Sequence, residues 1–582
     1  MKQKNCQNCK NQFTIEPDDF AFYDKMKVPP PTWCPDCRFM RRLHWRNERA
    51  LFHNVCAKCS KKIISVYHPD SGIVVYCRPC WWSDDWDGLD YGVDFDPSRP
   101  FFDQLRDLLY RVPLPDLFGL YTTLENSEYT NMVGYLKNCY FLTMADWNEN
   151  CSYGSNFLHC RDSLDCLMLT ESELCYESVN CHKCYKTLFS IDCEQCTNVS
   201  FSKNCNDCID CIGCVNLNNR QHCIFNVQYT PEEYRLRAEN CSPTSRTTIA
   251  EMRKKAENFW RSFPNKYLHE RNSQDISGDY IYNSTKTYDS FLVQDMENSR
   301  YCALVLPGKT TDCYDHTHYG INASLMVETL QCGGQASAIK FSWFTIIDVM
   351  NVEYGMFNIG TKNCFGSVGI KKKQYCILNK QYSKDEYEKL RSEIIAQMSE
   401  KPYVDSRGVA YRYGDFFPID MSPFEYNISS AQEFFPLTED MARKRGLRWH
   451  IQEVTSQKIT MKTSDIPDTC DDIRDSILEQ IIECKHASQC EERCSGAFKV
   501  LARDLRFYRD IGLPLPSLCP NCRHYRRILR RNSHTLILRR CMCDKEGHAH
   551  HTGLCPIEFK TTYSPDKPDI VYCKKCYRAE VI

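Results

Sequence analysis

The sequence has no uninterrupted apolar run approaching eighteen residues, and its first thirteen, MKQKNCQNCKNQF, contain no apolar core. The first absence excludes a membrane-spanning helix and the second argues against a secretory leader, so no membrane partner is expected. There is no charge excess either: 73 Lys and Arg face 75 Asp and Glu, a formal net charge of −2. No chain-wide field draws such a chain to nucleic acid, and any basic surface must be local. Also missing are a phosphate-binding Walker loop, a dinucleotide glycine fingerprint, a Gly-x-Ser-x-Gly elbow and a His-Glu-x-x-His helix. No reaction can be assigned by motif, and the reading leans away from an enzyme.

What is abundant is cysteine, 39 in 582 residues. Without a leader, a reducing cytoplasm is the expected compartment, where thiols serve as metal ligands or small packing groups rather than disulfides. The length predicts about three or four domains.

Four CxxC pairs open the chain: Cys6 and Cys9, Cys34 and Cys37, Cys56 and Cys59, Cys77 and Cys80. Eight thiolates match the need of two tetrahedral zinc ions, each pair forming a knuckle whose sulfurs reach one metal at about 2.3 Å. Sequential sharing is preferred; spacing also permits a cross-braced arrangement. After Cys37, RFMRRLHWRNERALF has no Gly or Pro and puts Arg38, Arg41, Arg42, Arg46 and Arg49 on one side of a predicted helix. These arginines either grip nucleic-acid phosphates or are neutralised within the chain, the acidic stretch Asp84, Asp85, Asp87, Asp90, Asp94 and Asp96 being the obvious local partner.

A CxxC opening a helix, with a second knuckle earlier in the chain, resembles the treble-clef and zinc-ribbon families over about Cys6 to Arg49. The resemblance implies zinc and helix-borne thiolates favoured by the positive end of the helix.

Residues 97–121 read as an amphipathic helix (PSRPFFDQLRDLLYRV, Ser98 as N-cap) and linker that cap the open end of a repeat region. From 122 to 229 the cysteines fall on two registers of nine residues: Cys166, Cys175, Cys184, Cys193 and Cys211 on one; Cys151, Cys160, Cys196, Cys205, Cys214 and Cys223 on the other. Asn or Asp often precedes them and short apolar runs come after, the pattern of a β-solenoid. Eighteen residues per coil is the expectation, stacking Cys175, Cys193 and Cys211. The four sulfurs of Cys205, Cys208, Cys211 and Cys214 are expected not to converge, so the thiols read as reduced packing units; metal storage is the rival.

The ladder's end is duplicated. Gln221–Tyr234 (QHCIFNVQYTPEEY) and Gln374–Tyr387 (QYCILNKQYSKDEY) match at eight of fourteen positions, and each hands over to a helix through a capping box, Thr230 with Glu233 and Ser383 with Glu386. A helical insertion (230–278), a second β-solenoid block (279–382) and a helix (383–400) come next. In the second block Asp315, His316 and His318 form a dense titratable group, read as a polar turn, with an enzymatic site on the solenoid face as the alternative. A connector (401–483) carries predicted helices at Thr438–Gly446 and Thr469–Cys484.

The first module then returns at 484–582. Phe507–Asn532 aligns with Phe22–Asn47, and Cys494, Cys519, Cys522 and Cys541 keep a constant offset from Cys9, Cys34, Cys37 and Cys56. Arg523, Arg526, Arg527 and Arg531 repeat Arg38, Arg41, Arg42 and Arg46. The expected ligands are Cys490, Cys494, Cys519 and Cys522, then Cys541, Cys555, Cys573 and Cys576. Cys543, His548, His550 and His551 lie in an eleven-residue extension as rival ligands. No acidic run succeeds this copy, which favours a phosphate-binding role for its arginines.

The fold class expected is mainly β with helical insertions: a central β-solenoid in two blocks flanked by duplicated treble-clef or zinc-ribbon modules (1–96 and 484–582). The whole pattern resembles cysteine-rich zinc-ribbon proteins of uncultivated bacteria. The function expected is a zinc-binding scaffold with about four Zn2+, contacting RNA or DNA through its basic helices or a protein partner on the solenoid.

Overall fold

The computed structural model describes residues 1–306, 308–451 and 458–581; residues 452–457, within the expected connector, lie outside the described residues. The architecture is mainly β with some helices, and most of its strands lie in two parallel ladders, the first made of sheets of six and five strands and the second of one twelve-stranded sheet. No described helix is long and apolar enough to cross a membrane.

In the first ladder strands pair in parallel at an offset of twelve residues: Ser155 with Leu167, Leu167 with Val179, Tyr185 with Thr197, Thr197 with Ile209 and Ile209 with Gln221. The eighteen-residue repeat is therefore corrected to twelve. The underlying unit is a triplet. From Met132 to Phe225 every third residue has a positive φ, with Gly213 among them. Asn and Asp tolerate this left-handed conformation better than most residues because their short side chains bond locally, which explains Asn138, Asn150, Asp165, Asn180, Asp192, Asn204, Asp207 and Asp210. The residue after each one turns inward, and from Val133 to Cys214 every such residue is buried.

Nine and twelve are both multiples of three, so cysteines on either nine-residue register occupy inward positions. The vertical column is Cys139, Cys151, Ser163, Cys175, Thr187, Val199, Cys211 and Cys223, and Cys193 stacks instead with Cys181 and Cys205. Cys205, Cys208, Cys211 and Cys214 fill four successive inward positions of one twelve-residue turn, so a step of three does turn them toward one interior. That expectation is corrected as well.

The second ladder begins by Glu270 and Gln274 and uses the same triplet. Its middle turns take thirteen residues (Thr310 with Ala323, Ala323 with Ala336, Ala336 with Val349), and its last return to twelve (Lys362 with Gln374). Extra residues enter at corners where two successive residues are left-handed, His318 with Tyr319 and Ile347 with Asp348.

Both ladders end as their sequences suggest. Thr230 caps Pro231–Ala238 and Ser383 caps Lys384–Glu400, each in a capping box. The helix in 97–121 runs Phe101–Leu109 with Pro100, not Ser98, at its N-cap. It packs Phe101 against Tyr354 and Phe365 of the second ladder, so it does not cap the first. Thr438 caps Glu439–Lys444, whereas the helix expected over 469–484 is only a short 3-10 turn, Asp475–Glu479, followed by the strand Ile482–Glu483.

Candidate metal centres

Four thiol sets form, each with one sulfur per residue and all four sulfurs within 4.8 Å of one another: Cys6, Cys9, Cys34 and Cys37; Cys56, Cys59, Cys77 and Cys80; Cys484, Cys494, Cys519 and Cys522; Cys541, Cys555, Cys573 and Cys576. Every cysteine of the chain is free. The local construction repeats. An antiparallel hairpin places the first pair of cysteines near its turn (Lys2–Asn5 with Gln12–Ile15, Phe52–Val55 with Lys62–Ser65, Ile482–Glu483 with Ala497–Phe498, Ile537–Arg540 with Glu558–Thr561). The second pair opens a helix: Cys34 is the N-cap of Pro35–His44, Cys77 of Arg78–Trp82 and Cys519 of Pro520–Ile528, and Lys574–Val581 comes directly after Cys573. Proline at the first turn suits the first two and Cys519's helix because that position needs no amide donor.

One hydrogen bond recurs in all four. The backbone N–H of the third cysteine donates to the sulfur of the first, at 3.2 Å each time: Cys34 to Cys6, Cys77 to Cys56, Cys519 to Cys484 and Cys573 to Cys541. Such donation favours the thiolate, the form a metal binds. Burial opposes ionisation of Cys56, yet N–H donors from Cys77, Cys59 and Lys58 bring its thiol down to about 7. Four thiolates on one divalent ion suit tetrahedral N/S-type chemistry.

This bond also identifies the residue that sequence comparison missed. Cys484, not Cys490, stands where Cys6 stands, because the hairpin beginning at Ile482 carries it to the site. Cys490 lies on the intervening loop as a further thiol, 3.7 Å from Cys522 Sγ. A strand signal ahead of Cys484 was the missing clue, hidden by reading that stretch as helix.

The arginines are neutralised within the chain, one of the two readings, but not by the acidic stretch 84–96. The first helix ends at His44, so Arg46 and Arg49 lie beyond it. Arg38, Arg41, Arg42 and Arg46 are 0–1% exposed. Arg38 and Arg42 both reach Asp315 (2.9 and 3.1 Å), and Arg41 reaches Glu328 (2.8 Å) one ladder step later. Arg46 pairs with Glu48 at 2.6 Å. Burial works against the charge on Arg38, and the Asp315 carboxylate more than restores it.

The second copy repeats the arrangement on the other ladder. Arg523 and Arg527 both reach Asp165 (3.1 and 2.9 Å), and Arg526 reaches Glu177 (2.9 Å) one step on. Even the flanking contacts repeat: Tyr301 donates to Asp19 at 3.1 Å and Tyr153 donates to Asp504 at 2.7 Å. Arg38 lies over the Tyr301 ring and Arg523 over that of Tyr153. Arg531 stacks on Phe434. The basic helices are thus docking surfaces turned inward, and a phosphate backbone has no access to Arg38, Arg41, Arg42, Arg46, Arg523 or Arg527. The acidic stretch instead meets lysines of the second ladder, Asp87 with Lys373 and Asp94 with Lys380.

Each module also touches the other ladder. Val75–Tyr76, just before Cys77, pairs in parallel with Leu114–Pro115 on the way into the first ladder. Asn265–Lys266, on the way into the second, pairs likewise with Val571–Tyr572, just before Cys573.

His316 and His318 are buried. His316 contacts Thr329 Oγ1 and the Tyr319 carbonyl, and burial pushes its pKa down to about 4. The polar turn expected of Asp315, His316 and His318 is corrected: Asp315 and His316 lie on the buried strand Thr310–Thr317, and His318 follows it with Nε2 3.6 Å from Glu48. A separate cavity of about 300 Å³ lies between the ladders, lined by His182, Asp192, Glu194, Lys203, His269 and Arg271 among others.

No protein-family model matches the chain, and no curated protein matches it.

Proposed function

We propose that the chain is a zinc-tied scaffold in which two metal modules clamp two β-solenoid blocks into one rigid body that presents a solenoid face to a protein partner. The carrying observation is reciprocal docking. The first module fixes its arginine helix to the second ladder and its Val75–Tyr76 strand to the entry of the first; the other module does the converse. A helix of this length has little stability alone. Thiolate ligation at its first turn orients it, and the orientation delivers three guanidinium groups to two carboxylates.

Zinc fits the donor sets, since closed four-sulfur tetrahedra are structural rather than catalytic. Ligation of this kind contributes an apparent ~10–16 kcal/mol per ion to folding at neutral pH. The ladder thiols have another role. Cys160 Sγ donates toward the carbonyls of Leu158 (3.3 Å) and Leu169 (3.2 Å), a pattern suited to protonated packing groups.

The test is metal content of the purified chain by mass spectrometry. The paired variants Cys34→Ser/Cys37→Ser, Cys77→Ser/Cys80→Ser and Cys519→Ser/Cys522→Ser should each lose one zinc per chain; unchanged content in all three would refute the reading. The cavity between the ladders supports a second reading, an enzyme acting there. Retention of a small-molecule signal in native mass spectra that disappears in His269→Gln would favour it.

A further inference from the structure

The C-terminal centre has more donors than one tetrahedral ion can use. Cys543, His548, His551 and Cys576 place one donor atom each within 4.8 Å of one another, and Cys576 also belongs to the set with Cys541, Cys555 and Cys573. His548 Nδ1 and His551 Nε2 face each other at 3.1 Å. On the far side of each ring a strong acceptor is already engaged: Glu580 Oε1 lies 2.8 Å from His548 Nε2, and the Gly553 carbonyl 2.8 Å from His551 Nδ1. With the far nitrogens turned to those acceptors, His548 Nδ1 and His551 Nε2 are the ring atoms free to face each other, a close approach that either a shared proton or a metal ion between them would satisfy. A ligating histidine whose other nitrogen donates to a carboxylate or carbonyl is also the usual metal-site arrangement.

The spacing agrees. Bonds of about 2.0–2.1 Å to nitrogen and about 2.3 Å to sulfur give tetrahedral edges of about 3.4 Å between nitrogens and about 3.6 Å between nitrogen and sulfur. Cys543 Sγ is 3.6 Å from His548 Nδ1, and Cys576 Sγ is 3.3 Å from His551 Nε2.

We propose a fifth metal site made by Cys543, His548, His551 and Cys576, with the Cys576 thiolate bridging it to the ion of the Cys541 set, so that a two-ion cluster closes this module. The inference rests on the reading that the Cys541 set holds an ion. Charge favours the second ion: four thiolates on one divalent ion leave two formal negative charges, whereas five thiolates shared by two such ions leave one. His550 Nε2 lies 3.2 Å from the bridging sulfur, placed to donate to it. Cys543 and the three histidines come from the stretch between Cys541 and Cys555, where this copy carries the extension that the Cys56 centre lacks, so the new site is the extension's contribution. Soft thiolate with imidazole selects zinc or a chemically similar ion.

The test uses the full-length chain reconstituted with zinc and, separately, with cobalt(II). Wild type should hold five zinc ions and His548→Gln/His551→Gln four, while Cys541→Ser/Cys555→Ser also lowers the content. Equal content in wild type and the histidine variant overturns the inference. Loss of nothing in Cys541→Ser/Cys555→Ser means that the underlying site fails instead. Should the glutamine variant not fold, His551→Cys keeps four donors: it should retain five ions and gain cobalt–thiolate charge-transfer absorption. An unchanged band refutes the fifth site.

Discussion

The Arg527 guanidinium lies 2.9 Å from the Asp165 carboxylate, and both side chains are fully buried. The same relationship joins Arg42 to Asp315 at 3.1 Å on the other ladder. Two copies of one docking device thus hold two modules to two ladders. Removing one partner of a buried pair leaves an uncompensated charge, which costs about 3–5 kcal/mol. Arg523 still reaches Asp165 when Arg527 is gone, so Arg527→Ala should lower the unfolding free energy of the metal-loaded chain by part of that amount. Arg526→Ala, whose side chain is 40% exposed, should cost less than half as much. Equal effects would mean that burial is not what makes Arg527 matter.

Cys484→Ser should release one zinc per chain, because Cys484 accepts the Cys519 N–H at the position equivalent to Cys6. Cys490→Ser should keep the full complement. Metal analysis of the two variants side by side decides which cysteine completes the third centre.

The ladder thiols should resist alkylation. Burial pushes Cys139 up to about 11 and Cys160, Cys302 and Cys332 up to about 12, so few of them are thiolate at pH 8. Brief iodoacetamide treatment of the native chain, read by peptide mass spectrometry, should label half-buried Cys241 well before any of these four. Equal labelling would show that the ladder opens readily.

Asn150 has φ 55° and donates to Asp162 at 2.9 Å, one ladder step away. A β-branched residue is costly in this conformation, about 1–2 kcal/mol, and also loses the side-chain bond. Asn150→Val should therefore lower the unfolding midpoint by more than Asn150→Gly does, since glycine takes the backbone without strain. Thermal unfolding of the pair makes the comparison.

His269 sits 2.9 Å from Asp279 and 3.4 Å from Asp192. Burial disfavours its charge, but the two carboxylates raise its pKa to about 10. A raised pKa contributes stability that is complete below the unfolded value of about 6.5 and is lost as pH rises toward 10. Denaturation midpoints of the native chain should fall across that window, and His269→Gln should flatten the fall.

Much of the thiol clustering was legible because each CxxC pair is local in the chain. Fifteen of the sixteen expected cysteines enter the four sets, and the exception arose where an altered spacing made Cys490 look like the partner of Cys494. The capping boxes at Thr230 and Ser383 were legible for the same reason: the cap and its Glu are three residues apart. The helix expected over 469–484 failed because apolar residues at helical spacing can equally serve a 3-10 turn and a strand when a hairpin partner, Ala497–Phe498, competes for them.

The sequence by itself determined which CxxC pairs could supply thiols, the duplication of the modules, the β character of the ladders and the preference for Asn and Asp at their corners; which pairs share a set, and that Cys484 completes the third, came from the tertiary structure. Tertiary structure alone decided how many triplets make one turn, because cysteines on a nine-residue register satisfy any whole number of triplets and only pairing between turns selects four. It alone decided the fate of the arginines. Arg42 and Asp315 lie 273 residues apart, and whether a basic helix faces solvent or a buried carboxylate depends on which ladder it meets.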